Sequence, residues 1–175
     1  MKINKKQGIL FWITGFSGSG KSSIAKKLKG KIEKSYGKTI VLSGDNFRRV
    51  FKFKKYDKNS RLEIVKKYSN FLNIILKQKI NIIFTVVGLI DELRYHNKSV
   101  FKNYLEIFIK ANIKKISKES KKKHYMQKQN NIMGLDIKPE FPKKPQIKVY
   151  NNFNKSSNFL AYNIYKKVKN IIKKN

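Results

Sequence analysis

The chain has 175 residues, 40% hydrophobic and 13% aromatic, which is the size of one domain with a core of its own. It contains no cysteine, which excludes a disulfide framework and any thiolate site and favours a reducing, cytoplasmic location. No segment approaches the roughly 20 continuous apolar residues of a membrane span, so we expect neither a membrane-spanning segment nor a membrane partner.

The charge balance is extreme, because 42 lysines and arginines face 10 acidic residues and give a net charge of +32. A surface for nucleic acid or anionic membrane is one interpretation. Compositional bias is the other, since the abundant Lys, Asn and Ile share adenine- and thymine-rich codons. The lysines are scattered over every segment rather than gathered into one stripe, which favours bias. We therefore expect salt-sensitive, non-specific adhesion to nucleic acid and no specific nucleic-acid partner.

Strand patterns and helix patterns alternate along the chain. The continuous apolar run of residues 8–14 is typical of a strand buried on both faces. Further strands are predicted at residues 39–42, 80–87, 104–109 and 147–149, and helices at residues 21–36, 60–78, 91–101 and 112–119, with a last helix marked by Leu160, Ile164, Val168 and Ile171. The alternation predicts a three-layer α/β fold with a mainly parallel five-stranded sheet, formed by residues 1–175 as a single domain.

Three segments carry more specific expectations. Residues 43–59 have no clear period and are predicted to form a functional loop. Ser60 with Glu63 three residues later suggests a capping box that starts a helix at Ser60. Residues 120–131 are polar and lysine-dense, which predicts a lid. Ligands of such folds bind at the carboxyl ends of the strands, so the loops after the first three strands are the candidates for a site.

Residues 15–22 match the P-loop pattern of Gly, four residues and Gly-Lys-Ser/Thr. Glycines let the backbone N–H groups point at phosphate oxygens, and the following helix adds its positive end. Lys21 would reach the β- and γ-phosphates, and the Ser22 hydroxyl would ligate Mg²⁺. The motif predicts ATP or GTP binding with Mg²⁺ in a P-loop NTPase fold. The predicted nucleotide-binding residues are Gly15, Ser17, Gly18, Ser19, Gly20, Lys21, Ser22 and Ser23.

Asp45 follows the second predicted strand and is the next acidic residue in a plausible place after the P-loop helix. The chain lacks a guanine-reading Asn-Lys-x-Asp sequence and the acidic pair of large ATPases, which favours a small-molecule kinase. A carboxylate at this position can hold Mg²⁺ or take the proton from an attacking hydroxyl. An isolated Gly-Asp is usually a turn or a helix cap, but beside a P-loop the functional interpretation is favoured. Arg48, three residues later, is suited to clamp an anionic acceptor.

The ordered set of motifs resembles the adenylyl-sulfate kinases, which use ATP and Mg²⁺ to phosphorylate the 3′-hydroxyl of adenylyl sulfate. The resemblance runs over nearly the whole chain, and its main segments are residues 11–24 (strand and P-loop), 42–48 (Leu-Ser-Gly-Asp-Asn-Phe-Arg), 61–63 (Arg-Leu-Glu), 131–136 and 142–145. It implies Asp45 as the catalytic carboxylate. Together with the P-loop motif, this makes Asp45 and Lys21 the predicted catalytic residues and Ser22 and Asp45 the predicted Mg²⁺ ligands. It further implies a small-molecule nucleotide acceptor and a homodimer. The implied acceptor-binding residues are Arg48, Tyr56, Arg61, Ile132 and Lys143.

The departures from the family pattern lie on the acceptor side. Ser43 replaces the first Asp of the Asp-Gly-Asp loop, and Ile64 stands where the family has Asn. The family holds the acceptor adenine between two aromatic rings, of which Tyr56 can supply one, while Ile132 occupies the second position. An aromatic face is worth about 1–3 kcal/mol to a stacked base, so adenine would be held less firmly here.

Three functions remain open on these residues. Adenylyl-sulfate kinase with a relaxed acceptor pocket is favoured. The alternative is a related kinase for cytidine diphosphoramidate in capsule biosynthesis, since a smaller pyrimidine needs less stacking surface. The third is a nucleotide-binding or nucleic-acid-binding module without turnover, which Ser43 and the high charge favour and the intact Lys21, Ser22 and Asp45 oppose.

Overall fold

The computed structural model describes residues 3–119 and 131–173. Five strands are formed: β1 (Leu10–Thr14), β2 (Thr39–Ser43), β3 (Asn81–Val86), β4 (Tyr104–Lys110) and β5 (Ile147–Tyr150). The helices of the described part are α1 (Lys21–Tyr36), α2 (Gly44–Val50), α3 (Lys58–Lys77), α4 (Asp91–Val100), α5 (Ile113–Glu119) and α6 (Ser157–Lys173). All strand pairs are parallel, in the order β2-β3-β1-β4-β5, so the predicted three-layer α/β fold is confirmed.

The central strand β1 separates two apolar layers. Trp12 points to one face, where its ring stacks on Phe84 with centroids 5.0 Å apart, among side chains of α3 and α4. Phe11 and Ile13 point to the other face and pack against α1 and α6. Because helices cover both faces, β1 has no polar side, which explains its unbroken apolar sequence.

Parallel pairing brings the carboxyl ends of the strands to one edge of the sheet. β1 lies between β3 and β4, and β3 also pairs with β2. The P-loop follows β1, α2 follows β2, and residues 87–90 follow β3. The three predicted site loops therefore meet at this edge, as expected for the fold.

The prediction of a loop at residues 43–59 is wrong for the first half of this segment, which forms helix α2. Ser43 caps this helix by accepting a hydrogen bond from the Asn46 backbone N–H at 3.1 Å. Phe47 anchors the helix, because its ring is buried against Tyr68 and Phe84. A helix of 7 residues held by one large apolar side chain has too few turns to show a period in the sequence.

The capping box at Ser60 is also wrong, because α3 begins earlier, at Lys58. Asp57 is the cap: its carboxylate accepts hydrogen bonds from the Ser60 backbone N–H at 2.9 Å and the Ser60 hydroxyl at 2.7 Å. Glu63 instead forms a salt bridge with Lys67, one turn later, with 2.9 Å between Oε1 and Nζ. Because the Asp57 carboxylate already accepts from the Ser60 N–H, the helix terminus is capped one turn before the predicted position.

The lid predicted at residues 120–131 lies outside the described residues except for Asn131. Over the described ranges, every helix is too short or too polar to cross a bilayer.

Candidate active site

The P-loop is shaped by glycines at positions where other residues would be strained. Gly15, Gly18 and Gly20 have φ angles of 147°, 76° and 88°. A Cβ on Gly15 would lie 2.4 Å from the Ile109 carbonyl oxygen, and a Cβ on Gly20 would lie 2.7 Å from Nδ2 of Asn151. The loop thus needs glycine both for its backbone turn and for its close contact with neighbouring strands.

Lys21 is held against the loop that precedes it. Its Nζ donates hydrogen bonds to the Gly15 carbonyl at 2.8 Å and to the Phe16 carbonyl at 2.6 Å. The side chain is only 8% exposed, although it carries a charge. These contacts place a positive charge inside the loop, where a bound phosphate would meet it.

A cavity of about 210 Å³ lies at the P-loop, and the polar groups around it fit a phosphate chain. Backbone N–H groups, hydroxyls and one ammonium surround this space, which is the donor-rich setting that phosphate oxygens require. The cavity is lined by Ser17, Gly18, Gly20, Lys21, Ser22, Ser23, Asp45, Thr85, Val86 and Val87.

Ser22 and Asp45 line this same cavity, so one hydroxyl and one carboxylate are available to a metal ion. Residues 3–119 and 131–173 contain no group of three or more acidic or histidine side chains that could hold a metal by themselves. Mg²⁺ is usually bound by one or two protein oxygens together with substrate phosphates and water. The donor set therefore fits Mg²⁺ that binds together with a nucleotide.

A second, larger cavity of about 750 Å³ adjoins the first. Asp45 and Ser17 line both cavities, so the carboxylate lies at their junction. The larger cavity contains four of the five residues predicted to bind the acceptor, which are Arg48, Tyr56, Arg61 and Ile132. Lys143 is exposed and lines neither cavity, and its role stays a prediction.

Two arginines and Tyr56 form one wall of the larger cavity. The Arg48 guanidinium lies over the Tyr56 ring, 4.1 Å from its centroid, and donates to the Lys55 carbonyl at 2.7 Å. Arg61 donates to the Tyr56 carbonyl at 2.6 Å and to the Asn131 carbonyl at 3.1 Å. Burial lowers the pKa of Arg61, and the nearby Arg48 charge lowers it further because the two cations share one wall. Such a wall is suited to an anionic ligand that would relieve this repulsion.

Asn151 belongs to the candidate site, although no sequence motif contains it. Its Nδ2 donates to the Ser19 carbonyl at 3.1 Å, and its backbone N–H donates to the Lys110 carbonyl at 2.9 Å. Its Oδ1 accepts from the Phe153 N–H at 3.0 Å. Asn151 therefore joins the P-loop to the ends of β4 and β5. An asparagine after a strand ordinarily indicates a turn, and nothing in the sequence connects it with Ser19.

Replacing Asn151 by Ala is expected to loosen the P-loop. We expect the KM for ATP to rise about 3- to 10-fold, the effect of losing one neutral hydrogen bond. Initial rates at varied ATP concentration measure this change, and thermal unfolding should show a Tm lowered by about 2–4 °C. The matched control is Asn152→Ala, which alters the exposed neighbouring residue. An unchanged KM for ATP in Asn151→Ala would contradict the assignment.

The parallel sheet, the P-loop and the two adjoining cavities define a P-loop kinase. The family model for adenylylsulphate kinase matches residues 7–150, and the chain belongs to this family. Family membership makes it an ATP-dependent phosphotransferase.

The chain is similar to kinases that are named for two different acceptors. It is 30% identical over 174 residues to the cytidine diphosphoramidate kinase of Campylobacter jejuni, covering 97% of this chain and 98% of the relative. It is 31% identical over 157 residues to the adenylyl-sulfate kinase of Clostridium acetobutylicum, covering 85% and 77%. Among solved structures, the Mycobacterium tuberculosis APS kinase in complex with AMPPNP and APS matches with a TM-score of 0.82 at 19% identity, covering 93% of this chain and 98% of that one. This last likeness supports the fold.

Proposed function

We propose that the protein transfers the γ-phosphoryl group of ATP to the 3′-hydroxyl of a nucleotide conjugate, and that cytidine diphosphoramidate is this acceptor. The observation that carries the transfer is the position of Asp45, which lines both the P-loop cavity and the larger cavity. A carboxylate at such a junction can contact a hydroxyl in one cavity while a phosphate chain occupies the other. Adenylyl sulfate is the second candidate, so this proposal reverses the order that the motifs alone favour.

Each group of the site has a part in the proposed transfer. The P-loop N–H groups and Lys21 bind the phosphates of ATP and stabilise the charge that develops on the transferred group. Asp45 orients the acceptor hydroxyl and takes its proton. Arg48 and Arg61 hold the anionic tail of the acceptor. Mg²⁺, with Ser22 and Asp45 as its protein ligands, would neutralise charge on the β- and γ-phosphates.

The larger cavity supports a pyrimidine acceptor. Tyr56 offers an aromatic ring, and Arg48 already covers one face of it at 4.1 Å. Ile132 contributes an aliphatic side chain to the lining. A pyrimidine has less surface to stack than a purine. The single Tyr56 ring therefore supplies a larger fraction of the stacking contact that a pyrimidine base can make. The match to the cytidine diphosphoramidate kinase along nearly the full length of both chains supports the same acceptor.

Adenylyl sulfate stays a candidate because of the 31% identity to the Clostridium adenylyl-sulfate kinase over 85% of this chain. Each acceptor consists of a nucleoside with an anionic tail, so the same arginines can serve both tails. A homodimer stays a prediction as well, and size-exclusion chromatography with light scattering tests it.

An acceptor screen tests the proposal. The purified protein with ATP and Mg²⁺ is incubated with cytidine diphosphoramidate, with adenylyl sulfate and without acceptor. We expect ADP release and the gain of one phosphoryl group on the cytidine compound, at a kcat/KM at least about tenfold above that for adenylyl sulfate, since a misfit ring typically lowers transition-state binding by 1–3 kcal/mol. A preference for adenylyl sulfate would contradict the proposed acceptor and assign adenylyl sulfate in its place. ATP binding without transfer to either would overturn the proposed function.

A further inference from the structure

Tyr68 lies on α3 with its ring in the aromatic cluster beneath the larger cavity. Its ring centroid is 4.5 Å from that of Phe47, 6.2 Å from that of Phe53 and 5.8 Å from that of Phe84. The residue is 3% exposed, yet it is part of the cavity lining. Its three phenylalanine neighbours surround the ring with apolar groups.

The hydroxyl of Tyr68 is buried and has no hydrogen-bond partner among the described residues. A buried hydroxyl without a partner destabilises the folded protein, so its presence calls for a physical reason. Burial raises the pKa of Tyr68 to about 12; Arg48 opposes this shift, while Asp45 and Tyr56 add to it. The hydroxyl is therefore protonated at neutral pH and available as a hydrogen-bond donor. All three of these neighbours line the larger cavity.

We propose that the Tyr68 hydroxyl recognises the acceptor by donating a hydrogen bond to an oxygen or nitrogen of its nucleoside. This inference rests on the proposed function, in which the larger cavity receives the acceptor. Asp45 and Arg48, which are assigned to that molecule, both act electrostatically on the hydroxyl. A bound nucleoside would supply the hydrogen-bond partner that the described residues do not. A buried polar group that only the correct ligand satisfies discriminates strongly between ligands.

The test is Tyr68→Phe, which removes the hydroxyl and keeps the ring. We expect the KM for the acceptor to rise about 3- to 10-fold, while the KM for ATP changes less than about twofold. The Tm should stay equal or rise, because a buried hydroxyl without a partner is lost. Measuring both acceptors locates the contact: a change for one alone places it on the base, and an equal change for both places it on the ribose. Each of these results supports the proposal.

The control is Tyr104→Phe, at the first residue of β4 and so at the opposite edge of the sheet. Tyr104 is a buried tyrosine like Tyr68, at 5% exposure, but it does not line the cavity. Its replacement should leave the KM values of both substrates unchanged. An acceptor KM in Tyr68→Phe equal to that of the unaltered enzyme would overturn the inference and leave the proposed function standing. An unaltered enzyme that transfers to neither acceptor would overturn the proposed function, and the assignment of Tyr68 with it.

Discussion

Replacing Asp45 by Asn is expected to lower the kcat of phosphoryl transfer by about 100- to 10,000-fold, the usual contribution of a general base. Asn keeps the size of the side chain and can still line both cavities, but it cannot accept the proton of the acceptor hydroxyl. Asp45 is exposed in the first turn of α2, so the substitution leaves the apolar core untouched. We therefore expect the fold to persist and nucleotide to bind.

Single-turnover transfer of labelled phosphate measures the loss in Asp45→Asn, and titration with a fluorescent ATP analogue measures nucleotide binding. Asp57→Asn is the matched control, because Asp57 caps α3 and lines neither cavity. Asn is as good an N-cap as Asp, so this variant should retain its activity. Turnover by Asp45→Asn at the rate of the unaltered enzyme would exclude the assigned role.

Replacing Lys21 by Ala is expected to reduce transfer by at least about 100- to 1,000-fold, the loss seen when one preorganised donor to transition-state charge is removed. The ammonium is positioned by the Gly15 and Phe16 carbonyls, so its charge lies inside the loop before nucleotide arrives. Since the same charge also attracts the phosphates of ATP, we expect the affinity for ATP to fall as well.

The high net charge makes a control with the same charge change necessary. Lys27→Ala removes one positive charge from the exposed face of the same helix and should change kcat less than about twofold, because an exposed charge is screened by salt. Both variants are compared at low and at physiological ionic strength. A similar loss of activity in the two would mean that long-range attraction, and not the position of Lys21, is responsible.

The main architecture and much of the candidate site were predictable from the sequence. Helix α1 has the predicted bounds, and the buried positions Leu160, Ile164 and Val168 confirm the predicted last helix. Six of the eight predicted nucleotide-binding residues, Asp45 and four of the predicted acceptor residues line two adjoining cavities, whereas Gly15 and Ser19 line neither. These features depend on local patterns: an apolar period, a glycine spacing, or a polar residue that directly follows a buried strand. The family resemblance contributed Tyr56, Arg61 and Ile132.

Other features were decided by the tertiary structure. Helix α2 exists because Phe47 finds a buried place between β3 and α3, and α3 begins at Lys58 because Asp57 satisfies its terminus. Asn151 reaches a P-loop carbonyl from 132 residues away.

Tyr68 combines both kinds of feature: the sequence predicts the place of its ring, and only the tertiary structure gives a role to its hydroxyl. It falls in the apolar stripe of α3, where an aromatic side chain indicates core, and its ring is core. A binding role for its hydroxyl follows only from the cavity that residues of α2, α3 and β3 line. The sequence by itself determined the five strands, most of the helices and the position of the P-loop, because those properties depend on neighbouring residues. The packing of the parallel strands decided which distant side chains share a cavity. It also decided which buried polar groups there lack a partner within the described part of the chain.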